Sequence, residues 1–174
     1  MSWKFGGIYI KPGFENPEET LHFLQINKRF SYQTISFSEV VTNAFNDTAI
    51  GIINGISLVH DNLLPYNNSY EADTSTDADF SMMELSRAAE IISFFLDGTS
   101  ESYGANHFKE GKRISRYSVM GGELILNEGD ITAISKKKGE AKIMEYLQQF
   151  TGISFQALLS NNNLQMYLFT ENGF

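Results

Sequence analysis

The chain of 174 residues contains no cysteine. A disulfide framework, a thiolate zinc site and a cysteine nucleophile are therefore excluded. Proline is scarce, at 3 residues, and no low-complexity tract occurs, so the composition does not describe a disordered chain. No apolar run approaches the length of a membrane span. The N-terminus, MSWKFGGIYIKPG, lacks the basic stretch followed by an apolar core that marks a signal peptide. A cytoplasmic protein without membrane contact is the expectation. Signature motifs are missing as well: GxSxG for a serine nucleophile, GxxxxGK[ST] and GxGxxG for phosphate cradles, HExxH for zinc. Basic residues are the minority, 13 against 21 acidic, and the net charge of −8 disfavours nucleic acid as a partner.

What is present begins with the layout of that charge. Residues 30–108 hold one basic residue, Arg87, against eleven acidic ones, a local net charge of −10. Residues 109–142 hold eight basic and five acidic, a local +3. The acidic stretch would attract a basic protein partner, and solubility alone is the simpler use of it. Aromatic residues make up 13%, and they favour half-buried pleated surfaces.

The length suits one domain over residues 1–174. Its spine is 90–126, where short strand patterns are separated by Asp97-Gly98, Glu110-Gly111 and Gly121-Gly122, the turn signals of an antiparallel meander. Residues 48–53 and 56–60 flank Asn54-Gly55, a hairpin signal. Strands are also expected at 3–10, 29–37 and 164–169. Asn16-Pro17-Glu18-Glu19 starts a helix: Asn caps, Pro loses no needed hydrogen bond, and the acids suit the helix dipole. Further short helices are expected at 39–45 with Ser38 as cap, from Ser81 to about Ala89 with a Ser81/Glu84 capping box, at 140–150 ending at Gly152, and at 154–159. Gly6-Gly7 reads as a bulge or turn. Residues 61–79 and 129–139 read as polar connections, the first long enough to be functional or mobile. The β-branched run Val40-Val41-Thr42 counts against the helix at 39–45, and the pattern predicts an α+β fold: a curved antiparallel sheet of hairpins and a meander, with three to four short helices.

One segment has the spacing of a calcium loop. In 73–84, Asp73, Ser75, Asp77, Asp79 and Ser81 fall on positions 1, 3, 5, 7 and 9 of the twelve-residue EF-type loop, and Glu84 on position 12. Hard oxygen donors at alternate positions can wrap Ca²⁺. Position 6 is Ala78 instead of the glycine the sharp turn needs, and 65–69 makes a poor entering helix. An acidic loop feeding a capping box explains the same residues without metal.

The three histidines, His22, His60 and His107, are isolated in sequence, and no cofactor is implied by their spacing. His107 on a predicted strand is the strongest candidate among them. Together with Tyr103, Arg113 and Arg116 it could line a pocket on an aromatic-rich sheet. Lys109, Lys112, Arg113 and Arg116 cluster near the Glu110-Gly111 turn, where cross-strand ion pairs are the commoner use of such charges.

The run FFLDGTSESYGANHFKEGKRISRYSVMGGELILNEG, followed by the helix ending in FTGISF, resembles small bacterial α+β proteins, some of which sit beside toxins as immunity partners. The resemblance covers roughly the C-terminal half and carries no functional residues across. Beside the missing catalytic motifs, the single domain and the −10 charge of residues 30–108, it favours a non-enzymatic module that masks a basic toxin domain, and the acidic long loop makes Glu71, Asp73, Asp77 and Asp79 the expected contact residues. The competing expectation is a small-ligand site or small enzyme at His107. A third is a calcium-stabilised structural domain. A cavity that joins His107 to a carboxylate would favour the pocket, and a flat acidic face would favour the masking module.

Overall fold

The computed structural model describes residues 4–26, 30–42, 47–61, 63–134 and 136–171. Among the described residues nine strands form one open antiparallel sheet: β1 (Lys4–Lys11), β2 (Phe30–Ser36), β3 (Thr48–Ile53), β4 (Ile56–His60), β5 (Glu90–Asp97), β6 (Ser102–Lys109), β7 (Lys112–Met120), β8 (Glu123–Gly129) and β9 (Gln165–Glu171). Their order across the sheet is β2-β9-β3-β4-β1-β5-β6-β7-β8, so β2 and β8 are its edges. Six helices among the described residues decorate it: α1 (Pro17–Phe23), α2 (Phe37–Thr42), α3 (Asp77–Leu85), α4 (Ile131–Ile134), α5 (Glu140–Thr151) and α6 (Phe155–Leu159). A 3-10 turn spans Leu64–Asn67. None of these helices is long and apolar enough to cross a membrane.

The α+β class and the antiparallel sheet agree with the sequence reading, while six helices exceed the three to four expected. The meander β5–β8 forms in unbroken succession. The Asn54-Gly55 hairpin closes with both residues at positive φ, 51° and 71°, the backbone a two-residue hairpin turn demands. Asn16 caps α1, its Oδ1 accepting the Glu19 N–H at 2.9 Å. Gly152 ends α5 at φ 74°.

Several boundaries differ, each for a local physical reason. The helix expected from Ser81 starts four residues earlier, because Thr76 and Asp79 make the capping box. Asp79 N–H donates to Thr76 Oγ1 at 3.2 Å, and Thr76 N–H donates to Asp79 Oδ2 at 2.8 Å. Ser81 is consequently exposed inside α3 and caps nothing. The helix expected at 39–45 begins at Phe37, because Ser36, not Ser38, exchanges bonds with Glu39: Ser36 N–H donates to Glu39 Oε2 at 2.7 Å, and Glu39 N–H to Ser36 Oγ at 3.2 Å. Its last three expected residues lie outside the described ones. The connection 129–139 contains α4. Gly6 and Gly7 are neither bulge nor turn. They lie in continuous register within β1, where a Cβ on Gly7 would stand 2.6 Å from the Val59 carbonyl oxygen.

Both faces of the sheet are covered. On one face Phe5, Tyr9, Ile92, Phe94, Leu96, Ala105 and Tyr117 pack under α2, α4, α5 and α6. α5 supplies Ile143, Tyr146, Leu147 and Phe150 to this side, the i, i+3, i+4, i+7 stripe of an amphipathic helix. Each such side chain contributes about 1.5–3 kcal/mol on leaving water. On the other face Ile8, Ile10, Ile50, Val59, Ile91 and Phe108 pack with Leu21 of α1 and with Met82 and Met83 of α3. Strand alternation sorts neighbours to opposite layers, which decides where each candidate functional residue goes.

Candidate functional site

His107 leaves β6 on the α5 side of the sheet, one strand from Glu90 at the start of β5. Its Nε2 stands 2.7 Å from Glu90 Oε1, and its Nδ1 meets the Tyr146 hydroxyl from α5. Lys109 Nζ lies 3.3 Å from the second Glu90 oxygen. The rings of Tyr146 and Phe150 flank the imidazole edge-on, with centroids at 5.5 and 5.8 Å. Burial pushes the His107 imidazolium below its ordinary range, and Glu90 offsets part of that. Burial pushes the Tyr146 hydroxyl up to about 12. A neutral imidazole between a carboxylate and a phenol has one satisfying arrangement: Nε2–H donates to Glu90, and Tyr146 O–H donates to Nδ1. The result is a three-member relay, phenol to imidazole to carboxylate.

The relay forms one side of a cavity of about 500 Å³. Lys11, Asp130 and Gln149 add polar groups, and Ile92, Ile134 and Phe150 add apolar wall. Lys11 Nζ donates to the Phe150 carbonyl at 3.3 Å and sits 5.7 Å from that residue's ring centroid, which holds the ammonium at the cavity. Asp130 is exposed and Glu90 half-buried, so the cavity offers two carboxylates and one ammonium beside a proton-carrying relay.

The other expected pocket residues go elsewhere. Tyr103 shares a face with His107 but lines a separate cavity of about 510 Å³ with Tyr117, Leu124 and Gly139. Arg113 and Arg116 lie on the opposite side of the sheet. Three residues apart, they would ordinarily face apart. A bulge in the β6–β7 pairing after His107 sets Phe108 opposite Arg113 and His107 opposite Ser115, and turns both guanidinium groups to one layer. There Arg113 reaches the Thr74 carbonyl at 2.9 Å and Ser75 Oγ at 3.1 Å, and Arg116 donates to the Glu71 carbonyl.

These arginines belong to a polar clasp that fastens 68–79 onto β5–β7. Its hub is Asp79, a carboxylate with no solvent exposure. Asp79 accepts from Asn68 Nδ2 at 3.0 Å, from Ser69 N–H at 3.0 Å and from Thr76 N–H at 2.8 Å, and faces Arg113 Nη1 at 3.1 Å. Ser93 donates to Asn68, Asn106 donates to the Ser69 carbonyl, and Ser118 donates to the Tyr70 carbonyl. Residues 68–79 of the segment read as a mobile or functional loop are thus fastened to the sheet. Of the four expected contact residues, Glu71, Asp73 and Asp77 are exposed, and Asp79 is spent inside.

The expected calcium ligands are not gathered. Asp77 to Glu84 lie along α3, Asp79 is engaged by the clasp, and Glu84 pairs with Arg87 at 2.9 Å. Asp73 and Ser75 stay on the exposed loop before the helix. Among the described residues no group of three or more His, Asp or Glu side chains is placed to hold a metal ion.

No family model, curated protein or solved structure matches this chain. Sequence reasoning found His107 and missed its partners. Glu90 could have been found from strand pairing, since it falls diagonal to His107 once β5 and β6 are set in register. Tyr146 needed the docking of α5, which no local pattern contains.

Proposed function

We propose that the protein binds a small zwitterionic molecule in the cavity at His107. The observation that carries this reading is the Glu90–His107–Tyr146 relay facing a cavity with Lys11 and Asp130. A cavity of this size accommodates a ligand of amino-acid to dipeptide dimensions. Glu90 and Asp130 suit a cationic end, Lys11 suits an anionic end, and Phe150 and Ile134 give the ligand's apolar part a wall. The relay adds proton chemistry. A ligand that brings positive charge to Glu90 competes with the imidazole for that carboxylate, so binding couples to the protonation of His107. The test is a thermal-shift screen of the twenty amino acids and simple dipeptides against the protein, with His107→Phe as control. A hit whose stabilisation disappears in His107→Phe supports the site. Hits unchanged by that substitution, or none among amino acids and dipeptides, count against it.

A second reading keeps the protein-binding module. Its support is the clasp, which presents Glu71, Asp73 and Asp77 on a held platform, so a basic partner pays little ordering entropy on binding. This is the immunity-type masking function that the sequence resemblance suggests. Charge reversal of Glu71, Asp73 and Asp77 together should abolish capture of a basic partner in a salt-sensitive pull-down; unchanged capture would exclude this surface.

A further inference from the structure

The edge strand β8 leaves two adjacent aliphatic side chains in solvent. Its burial alternates only at Leu126, and every other residue from Glu123 to Gly129 is exposed. Leu124 is 54% exposed and Ile125 42%. The β7–β8 register shifts here, Ser118 pairing with Leu126 and Val119 with Leu124, so Ile125 is the extra residue of a bulge; Leu126 packs inward while Leu124 and Ile125 stay in solvent. At the other edge, β2 shows Ser31, Gln33 and Thr34 to solvent, and its one large exposed side chain, Tyr32 at 53%, leans on Tyr167 and Phe169. Natural edges are commonly blunted by lysine, proline or a covering element. β8 carries no lysine and no proline; its one such device is the bulge at Ile125, and its centre is still Leu-Ile-Leu.

We propose that β8 is a docking edge for an extended, basic segment of a protein partner, which adds a tenth strand to the sheet. The charge around the edge selects that occupant. Glu123 and Glu128 bracket the apolar centre, and both are exposed. Leu124 also lines the cavity of about 510 Å³ whose walls include Tyr103 and Tyr117, with Glu101 and Glu140 against Lys138 at its rim. A strand pairing with β8 sends alternate side chains over that groove, where a lysine or arginine stem lies on the aromatic wall and its head meets carboxylates. A second copy of the chain fits less well. Antiparallel self-pairing that sets Ile125 opposite Leu126 sets Glu123 opposite Glu128 twice, and brings together two chains of net charge −8.

The test uses the full chain with a fluorescein-labelled decapeptide of alternating lysine and valine, read by anisotropy and by amide hydrogen exchange. The expected result is slowed exchange of 124–128 on peptide addition and at least tenfold weaker binding to the double variant Leu124→Glu, Ile125→Glu. That variant adds negative charge, so attraction by charge alone would strengthen binding and overturn the proposal. A peptide N-methylated at every residue has no backbone N–H to donate from either of its edges and should not slow exchange in the unaltered protein; equal binding by it also overturns the proposal, whether or not the variant folds. Protection that follows Glu71, Asp73 and Asp77 instead of β8 overturns it too. So does β8 protection that rises with protein concentration and no peptide, since the occupant is then a second copy.

Discussion

Replacing Asp79 by asparagine should unfold the protein far more readily than a one-atom change suggests. Every group aimed at the Asp79 carboxylate is a donor: Asn68 Nδ2, Ser69 N–H, Thr76 N–H and Arg113 Nη1. An amide at this position points its own N–H₂ at those donors, removes half of the α3 capping box and leaves the Arg113 guanidinium without its counter-charge. Breaking one side of a buried, hydrogen-bonded ion pair costs about 3–5 kcal/mol. For a chain of this size that lowers the melting temperature by roughly 6–20 °C. Urea unfolding of Asp79→Asn, Arg113→Met and the double variant gives the number. The double variant should recover about 1.5 kcal/mol or more relative to the sum of the singles, because it leaves no unpaired charge. The same opening frees 71–76, so limited proteolysis should cut Asp79→Asn there first. A loss below about 1 kcal/mol, or plain additivity, would refute the view of Asp79 as the hub of the clasp.

Three other outcomes are expected. His60 is sealed among Phe5, Tyr9, Phe37 and Phe94, and burial pushes its imidazolium down to about 3. Below about pH 6.5 the unfolded chain therefore takes a proton that the folded one refuses, so His60 costs about 2 kcal/mol of stability at pH 5 relative to pH 7. Urea titrations at both values should show that pH-dependent part vanish in His60→Leu, and an unchanged difference would contradict the burial. Gly104→Ala should destabilise by about 1–3 kcal/mol, as overpacking does. The new Cβ would stand 2.4 Å from Phe95 Cε1 and 2.5 Å from Tyr70 Cδ1. A melting curve matching the parent would show that this contact yields. Glu90→Gln should lower the titration midpoint of His107 in NMR, because Glu90 is the chief group raising it against burial; a midpoint that rises or stays would remove Glu90 from the relay.

Much of the strand layout was legible because its signals are local. Asn54-Gly55, Glu110-Gly111 and Gly121-Gly122 each demand positive φ, and each turn sits where it was read. The Asn16 cap was legible for the same reason. Capping was misread where two candidates lay close together. Ser81/Glu84 and Thr76/Asp79 both have the right spacing, and the second wins because Asp79 also binds Asn68, Ser69 and Arg113, partners distant in sequence. The pocket set of Tyr103, His107, Arg113 and Arg116 failed as a group for a related reason. Alternation along β6 and β7 predicts the faces only until a bulge shifts the count, and the one after His107 sends both arginines to the far layer. Tyr146 could not be read at all, since α5 and β6 meet only through the tertiary fold.

The cavity beside Glu90, His107 and Tyr146 is proposed to bind a small zwitterion. The measurement that tests it most directly is the His107 imidazole NMR signal, followed while the strongest hit from the amino-acid and dipeptide screen is titrated into the protein. Saturable movement of the His107 resonances, absent in Glu90→Gln, with His22 and His60 unmoved, is the predicted result. Resonances that stay fixed through saturation of the hit, or all three histidines moving together, would contradict the account.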